Sequence, residues 1–297
     1  MKIPRGSGRR AVIAVPFAWL AFAFLAPFLI VLRLSLAEMD PAGGFGDLVS
    51  FAGGVPHLKL KLANYLFIAQ DRLYLLTYLS SLKFAALTTV LCLLIGYPFA
   101  YFMARARPSI RPTLMMLVML PFWTSFLLRI YAWKGILANH GVVNHLLLSL
   151  GIIGEPLHMM NTAFSLVVGM VYAYLPFMIL PLYANLVKMD LRLLEAAADL
   201  GATPLQAFWR ITVPLSKSGI IAGALLVFIP AVGEYVIPEL LGGPDTLMIG
   251  KVLWDEFFTN NDWPLASAVA VVVILLIVVP MAFFNKYKAE QQGRGRA

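Results

Sequence analysis

One carboxylate stands inside an apolar run, where a carboxylate is expensive. Glu234 lies in Ile229-Pro-Ala-Val-Gly-Glu-Tyr-Val-Ile-Pro238, and an acidic side chain at the centre of a membrane-spanning helix costs about 2.5–3.5 kcal/mol on insertion scales. Such groups usually face a bundle interior, and Pro230, Gly233 and Pro238 around it break a helix and free its carbonyls. The chemistry on offer is recognition of a cation. The carboxylate suits an ammonium group, and aromatic faces from Tyr235, Trp254, Tyr172 and Tyr174 suit its cation–π contacts, with Glu256 as a further acid. A plainer alternative is Glu234 near an interface, paired with a polar group. Tyr172 and Tyr174, close to Pro176 and Pro181, fit a cavity lining and a packed core equally well. Trp123, Tyr131, Trp133 and Trp263 read as an interfacial aromatic belt. Arg129 and Lys134 read as anchors that snorkel, and their charge would repel a cation sharing their path.

A second constellation suits docking. Residues 191–200 are mostly strong helix formers, and Gly201 follows where a left-handed stop is cheapest. Thr203 then offers an N-cap and Pro204 a first helical residue, so a second helix is expected that ends before Pro214. The result is a bent helix pair at a membrane surface. On its first helix Leu191, Leu194 and Ala198 share a stripe, with Ala197 and Gly201 beside it. Small residues there let another backbone approach, which fits a helix docked in a partner's groove. A helix lying among lipid headgroups or packed on its own bundle fits the same pattern.

The elements that carry these groups must be membrane spans. Of 297 residues 61% are hydrophobic and only 13% charged, with a mean hydropathy of +0.83, against about 45–50% apolar and about 25% charged in soluble domains. That excludes a cytosolic enzyme, a secreted disulfide scaffold and a disordered tail. The single cysteine, Cys92, permits no intrachain disulfide. Six apolar stretches are near the roughly 20 residues a spanning helix needs: 11–32, 84–104, 112–137, 161–187, 218–238 and 264–285. The first follows Lys2, Arg5, Arg9 and Arg10 as a signal peptide would, but its apolar run is too long and no clear cleavage site follows, so an uncleaved helix is expected.

With six spans and both termini in the cytoplasm, the inside segments collect the basic residues of the two tails together with Arg105, Arg107, Arg111, Lys188, Arg192, Arg210 and Lys217. The outer loops keep only Lys59, Lys61, Arg72 and Lys251 clear of helix ends, the distribution that the positive-inside rule requires. Because the basic residues are scattered over four segments, the net charge of +8 reports topology and not a nucleic-acid partner. The chain then divides into a basic tail (1–10), a first transmembrane helix (11–36), an extracytoplasmic loop (37–74), a five-span core (75–284) with its surface loop at 188–217, and a second tail (285–297). The outer loop reads as irregular chain ending in an interfacial helix at 63–78.

Catalysis has no visible machinery. There is no G-x-x-x-x-G-K-[ST], and the nearest approach, Gly250-Lys251, has Asp245 at the first glycine position and Val252 after the lysine. H-E-x-x-H, G-x-S-x-G and paired acids within the spans are also missing, and His140 and His145 read as loop histidines. The expectation is therefore a non-enzymatic membrane subunit with no cofactor and no metal of its own.

The surface loop also carries a resemblance. Glu195-Ala196-Ala197, Gly201, Ile211 and Pro214 resemble the signature of permease subunits of binding-protein-dependent ABC importers, with Val213 where a leucine is usual. The resemblance implies the MetI-like, all-α permease fold in a bacterial inner membrane, spanning about residues 75–284 with 11–36 as an added helix. It makes the loop the coupling helix that docks on a cytoplasmic ATPase dimer, which binds ATP and Mg. It also implies a homologous second permease and an extracytoplasmic substrate-binding protein. Leu94-Ile-Gly-Tyr-Pro-Phe-Ala100, Leu120-Pro-Phe-Trp-Thr-Ser125, Arg129-Ile-Tyr-Ala-Trp133 and Gly233-Glu-Tyr-Val-Ile-Pro-Glu-Leu-Leu-Gly-Gly243 are similar to the putrescine/spermidine branch, its putrescine members most of all. Related permeases handle thiamine, ferric iron and phosphonates. An ion-coupled secondary transporter using Glu234 is the rival class, although no internal repeat is visible.

Overall fold

The computed structural model describes residues 7–38, 49–52, 55–58 and 62–294. In chain order they form α1 (Ser7–Ser35), β1 (Val49–Ala52), β2 (Val55–Leu58), α2 (Ala63–Gln70), α3 (Arg72–Arg105), α4 (Arg111–Met119), α5 (Phe126–Leu137) and α6 (Val142–Ser149). There follow α7 (Ala163–Leu186), α8 (Arg192–Asp199), α9 (Pro204–Ala207), α10 (Val213–Leu215), α11 (Lys217–Val232), α12 (Val236–Leu241), α13 (Ile249–Trp254) and α14 (Trp263–Arg294). Two compact units emerge, one from Met1–Leu75 with Leu253–Ala297, the other from Leu76–Val252.

Three helices, Val12–Ser35, Arg72–Arg105 and Ala163–Leu186, are each long and apolar enough to cross a bilayer. Two bent pairs raise the number to five, and α14 adds the shorter apolar stretch Trp263–Val279. The expected third span is not one straight helix. Its halves, Arg111–Trp123 and Phe126–Ser149, meet at 87°, because the chain tightens into a 3-10 turn at Leu120–Trp123 and then extends through Thr124 and Ser125. The fifth is also broken, as Pro230 and Gly233 foretold: α11 stops at Val232 and α12 restarts at Val236.

In the first unit, the expected irregular loop and its helix at 63–78 need correcting. β1 and β2 pair antiparallel, Val49 opposite Leu58 and Ala52 opposite Val55, across Gly53-Gly54, a two-residue link of the type that hairpins favour. The expected helix splits at Asp71, whose backbone is extended and whose carboxylate accepts the Leu73 N–H at 2.8 Å, so a new helix begins there and runs unbroken to Arg105. The last turn of α1 is fastened to α2 by Tyr65, which donates to Ser35 Oγ at 2.7 Å, and by Asn64. None of the most apolar stretch of α1 is buried, which leaves that face to lipid or a partner.

In the second unit, the core lies between α7 and α11, where Met178, Leu182 and Val227 are fully buried. Close approach follows from Gly219-Ile-Ile-Ala-Gly223, a small-x-x-x-small pattern of the kind that brings membrane helices together. A Cβ at Gly219 would stand 2.8 Å from Asn185 Cβ, and one at Gly223 would stand 2.7 Å from Met178 Sδ. Ser165, fully buried, donates to the Leu241 carbonyl at 2.6 Å and so fixes α12 against the start of α7. The Ile249 N–H donates to Ser81 Oγ at 2.7 Å, which fixes the start of α13 on α3.

Candidate coupling loop and substrate path

The surface loop is built by its caps. Gly201 has φ +82°, a left-handed conformation that costs an L-residue about 1–2 kcal/mol. Its N–H donates to the Ala198 carbonyl and the Ala202 N–H to the Ala197 carbonyl, both at 2.9 Å, which is the paired bonding of a Schellman stop. Two residues later Thr203 and Gln206 form a reciprocal capping box around Pro204. The bent pair expected from sequence is present, with one correction. The second helix does not end before Pro214, because a π turn at Phe208–Thr212 widens the spiral and lets the helical run continue through Pro214 to Leu215. The run Pro204–Leu215 then meets Lys217–Val232 at 64°.

The expected docking stripe is partly occupied by the chain itself. Ala197 is buried, Leu194 half-buried, and the two line a different side from Glu195, Ala196 and Gly201, which are exposed. Ile211 is half-buried and Pro214 exposed. The open apolar surface of the loop comes from Leu191 of that stripe together with Leu193, Leu205, Trp209 and above all Leu200, which is 89% exposed. A cleft of about 340 Å³ lies between Leu194, Ala198 and Ala202 on one side and Tyr101 and Arg105 of α3 on the other. The loop is joined to α3 by Phe208, whose ring meets Tyr97 and Tyr101 edge-on at 5.5 and 5.9 Å. Tyr97 and Ser216 share a buried hydroxyl–hydroxyl hydrogen bond of 2.8 Å.

Glu234 sits in the break between α11 and α12, half-buried. Its Oε1 accepts the N–H groups of Tyr235, Val236 and Ile237 at 3.1, 3.0 and 3.4 Å, and its Oε2 accepts the Tyr174 hydroxyl. The carboxylate therefore satisfies the backbone donors that the helix break exposes. Gly250 closes the site from behind, since a Cβ there would stand 2.4 Å from the Gly233 carbonyl oxygen and 2.5 Å from that of Glu234. Of the expected aromatic partners, Tyr174 is brought to the carboxylate, while Tyr235 contributes its backbone N–H. Tyr172, two residues away on α7, turns elsewhere and meets Trp133 edge-on at 5.4 Å. Trp133 is half-buried there, so it is a packing residue and not a belt residue. Trp123 and Tyr131 remain exposed.

Trp254 and Glu256 belong to the first unit. Glu256 accepts the hydroxyl of the buried Tyr74 at 2.7 Å and the Asn260 amide at 2.8 Å. Trp254 packs on Phe258 at 4.1 Å.

The structure adds aromatic residues that the sequence did not mark. Tyr174 lies 6.3 Å from Phe177, whose ring meets Phe122 edge-on at 5.3 Å. The Arg129 guanidinium lies over Phe122 at 4.8 Å and over Phe126 at 5.7 Å. Arg129 is thus half-buried on two rings and not a side chain reaching out to an interface. The usable signal was Phe122 and Phe126 at four-residue spacing before an arginine, but Phe177, 55 positions after Phe122, is joined by folding alone. A further cleft of about 300 Å³ is lined by Asn161, Gly243 and Thr246, with Lys251 paired to Glu239 at 2.5 Å.

Comparison with known proteins gives a consistent result. The model of the family described as the binding-protein-dependent transport system inner membrane component matches residues 93–288. The spermidine/putrescine transport system permease protein PotB of Haemophilus influenzae is 40% identical over 291 residues, covering 98% of this chain and 97% of that protein. PotB of Escherichia coli K12 is 40% identical over 266 residues, covering 90% and 92%. A bacterial alginate ABC transporter, solved in complex with an alginate pentasaccharide-bound periplasmic protein, contains a chain of the same fold, with a TM-score of 0.68 at 16% identity over 95% of this chain and 96% of that one.

Proposed function

Because this chain belongs to the inner membrane components of binding-protein-dependent transport systems, we propose that it is the permease subunit of an ATP-driven importer that carries spermidine or putrescine across the inner membrane. The observation that carries the substrate class is the 40% identity, over nearly the full length, to permeases named for spermidine and putrescine. Those relatives are named for both polyamines, so the closer likeness to putrescine carriers expected from sequence is not separated from spermidine. The site chemistry supports a cation: a carboxylate at a helix break, with Tyr174, Phe177 and Phe122 leading away from it.

The chain works within a complex. Its partners are a homologous second permease, an ATPase dimer that binds ATP and Mg, and an extracytoplasmic binding protein. On the reading of six spans with both termini in the cytoplasm, the 188–217 loop lies on the ATPase side. There Glu195, Ala196, Gly201 and the exposed Leu200 and Leu205 are the docking surface. Movement of the loop reaches α3 through Phe208 and the Tyr97–Ser216 bond. Alternating access needs a bistable arrangement that nucleotide binding biases, and the bends of 64° and 87° are where the spans can change angle. Glu234, with Tyr174, is the candidate substrate contact.

The test is uptake of labelled spermidine and putrescine by cells lacking their own polyamine importers, supplied with this permease and the genes encoded beside it. Uptake of either polyamine supports the substrate class. Absence of both, with the complex assembled in the membrane, moves the substrate to another small solute such as thiamine, ferric iron or a phosphonate.

A further inference from the structure

We propose that the faces of Phe122 and Phe126 form a cation seat on the substrate path, and that Arg129 occupies it as the protein's own stand-in for a substrate ammonium. The inference rests on the polyamine assignment above. A guanidinium over two aromatic rings at 4.8 and 5.7 Å is held by the same quadrupole attraction that recognises alkylammonium ligands.

Three observations separate this seat from an ordinary anchoring arginine. Arg129 Nε is buried without a hydrogen-bond partner, and among the described residues no carboxylate lies within ion-pair distance of the guanidinium. The guanidinium therefore rests on ring faces and not on an acid, and ring faces hold a cation more loosely than a bidentate carboxylate does. The seat is also continuous with the acid: Phe122 meets Phe177, Phe177 lies beside Tyr174, and Tyr174 donates to Glu234. An extended polyamine has an ammonium at each end and methylenes between. A path that pairs one end with Glu234 and passes the other over π faces matches that pattern.

The consequence is selectivity by competition. A substrate ammonium enters the seat only by displacing Arg129. A polyamine held at its other end by Glu234 displaces it intramolecularly, whereas a simple monocation must do so from solution. Arg129 thereby keeps abundant monovalent organic cations off the path. The contact strength of about 0.5–2 kcal/mol for cation–π pairs corresponds to about 2- to 30-fold in occupancy.

The test is block of transport by tetramethylammonium. Labelled spermidine uptake is measured with the assembled complex in proteoliposomes, for wild type, Arg129→Gln, Arg129→Lys and the double variant Arg129→Gln with Phe122→Ala. The expected result is a half-blocking concentration about 2- to 30-fold lower for Arg129→Gln than for wild type, wild-type tolerance in Arg129→Lys, and loss of the block in the double variant. A gain of sensitivity that a second substitution reverses does not arise from misfolding. Equal sensitivity of wild type and Arg129→Gln overturns the inference and leaves the substrate assignment standing. No polyamine uptake by the assembled wild-type complex overturns both.

Discussion

Gly201 offers a substitution whose effect is set by backbone conformation alone. Its φ of +82° disfavours an L-residue, yet a Cβ placed there meets nothing within 4 Å. Replacement therefore strains the backbone without a clash inside this chain. Alanine in the left-handed region costs about 1–2 kcal/mol, asparagine less because it visits that region readily, and a β-branched residue more. That energy acts against the two bonds that end α8, from Gly201 to Ala198 and from Ala202 to Ala197. At 1.36 kcal/mol per tenfold, the balance between capped and uncapped loop shifts by about 5- to 30-fold for Gly201→Ala. The assay is ATP-driven spermidine uptake, normalised to assembled complex in the membrane, across Gly, Asn, Ala and Val at this position. Activity should fall in that order while the amount of inserted protein stays constant. Wild-type uptake by Gly201→Val would refute the argument that the cap sets coupling. A loss in Gly201→Asn as deep as that in Gly201→Val would place the cause in a contact with the ATPase and not in the backbone.

Glu234→Gln keeps an oxygen acceptor for the three backbone N–H groups and sets an amide NH2 beside the Tyr174 hydroxyl, which turns from donor to acceptor, so the folded yield should match wild type while polyamine uptake falls. Glu234→Ala leaves those donors unpaired at about 1–3 kcal/mol for a buried group, and thermal unfolding of the purified complex should show a lower midpoint for Ala than for Gln. Gly250→Ala drives a methyl into two backbone carbonyl oxygens at 2.4 and 2.5 Å, which cannot rotate away. Overpacking of this kind costs about 1–3 kcal/mol, and reduced yield in detergent, read by size-exclusion chromatography, is the expected outcome. Tyr97→Phe keeps the edge-on contact with Phe208 but removes the bond to Ser216, worth about 0.5–1.5 kcal/mol. ATP hydrolysis by the assembled complex without substrate should persist while uptake per ATP hydrolysed declines, and an unchanged ratio would remove this bond from the coupling route.

Local grammar made the shape of the 188–217 loop readable. Gly201, Thr203 and Pro204 act within a few residues of themselves, so a stop, a cap and a restart followed from their order. The π turn did not follow, because a proline at 214 reads as a helix end unless the preceding spiral widens, and nothing local announces the widening. The hairpin at Val49–Leu58 was signalled only by Gly53-Gly54 with Val49, Phe51 and Val55 around it, and with Ser, Ala, Pro and His between them a glycine-rich stretch reads as irregular. Gly219-x-x-x-Gly223 was equally visible as a close-packing pattern. At Glu234 the residue and its helix break were evident, whereas its satisfaction by Tyr174 and the backing by Gly250 join positions 60 and 16 residues away, which only the fold brings together. Tyr172 and Tyr174 looked alike in sequence and differ because two residues along a helix turn a side chain through about 200°.

The central claim is that this chain moves a polyamine with energy delivered through its 188–217 loop by a separate ATPase. The most direct measurement is spermidine uptake into proteoliposomes holding the purified permeases and ATPase, with loaded binding protein outside and ATP and Mg inside, and with no ion gradient. Uptake that requires ATP hydrolysis and disappears when the ATPase is inactivated is the result expected here. Uptake driven by a proton or sodium gradient and indifferent to ATP would contradict it.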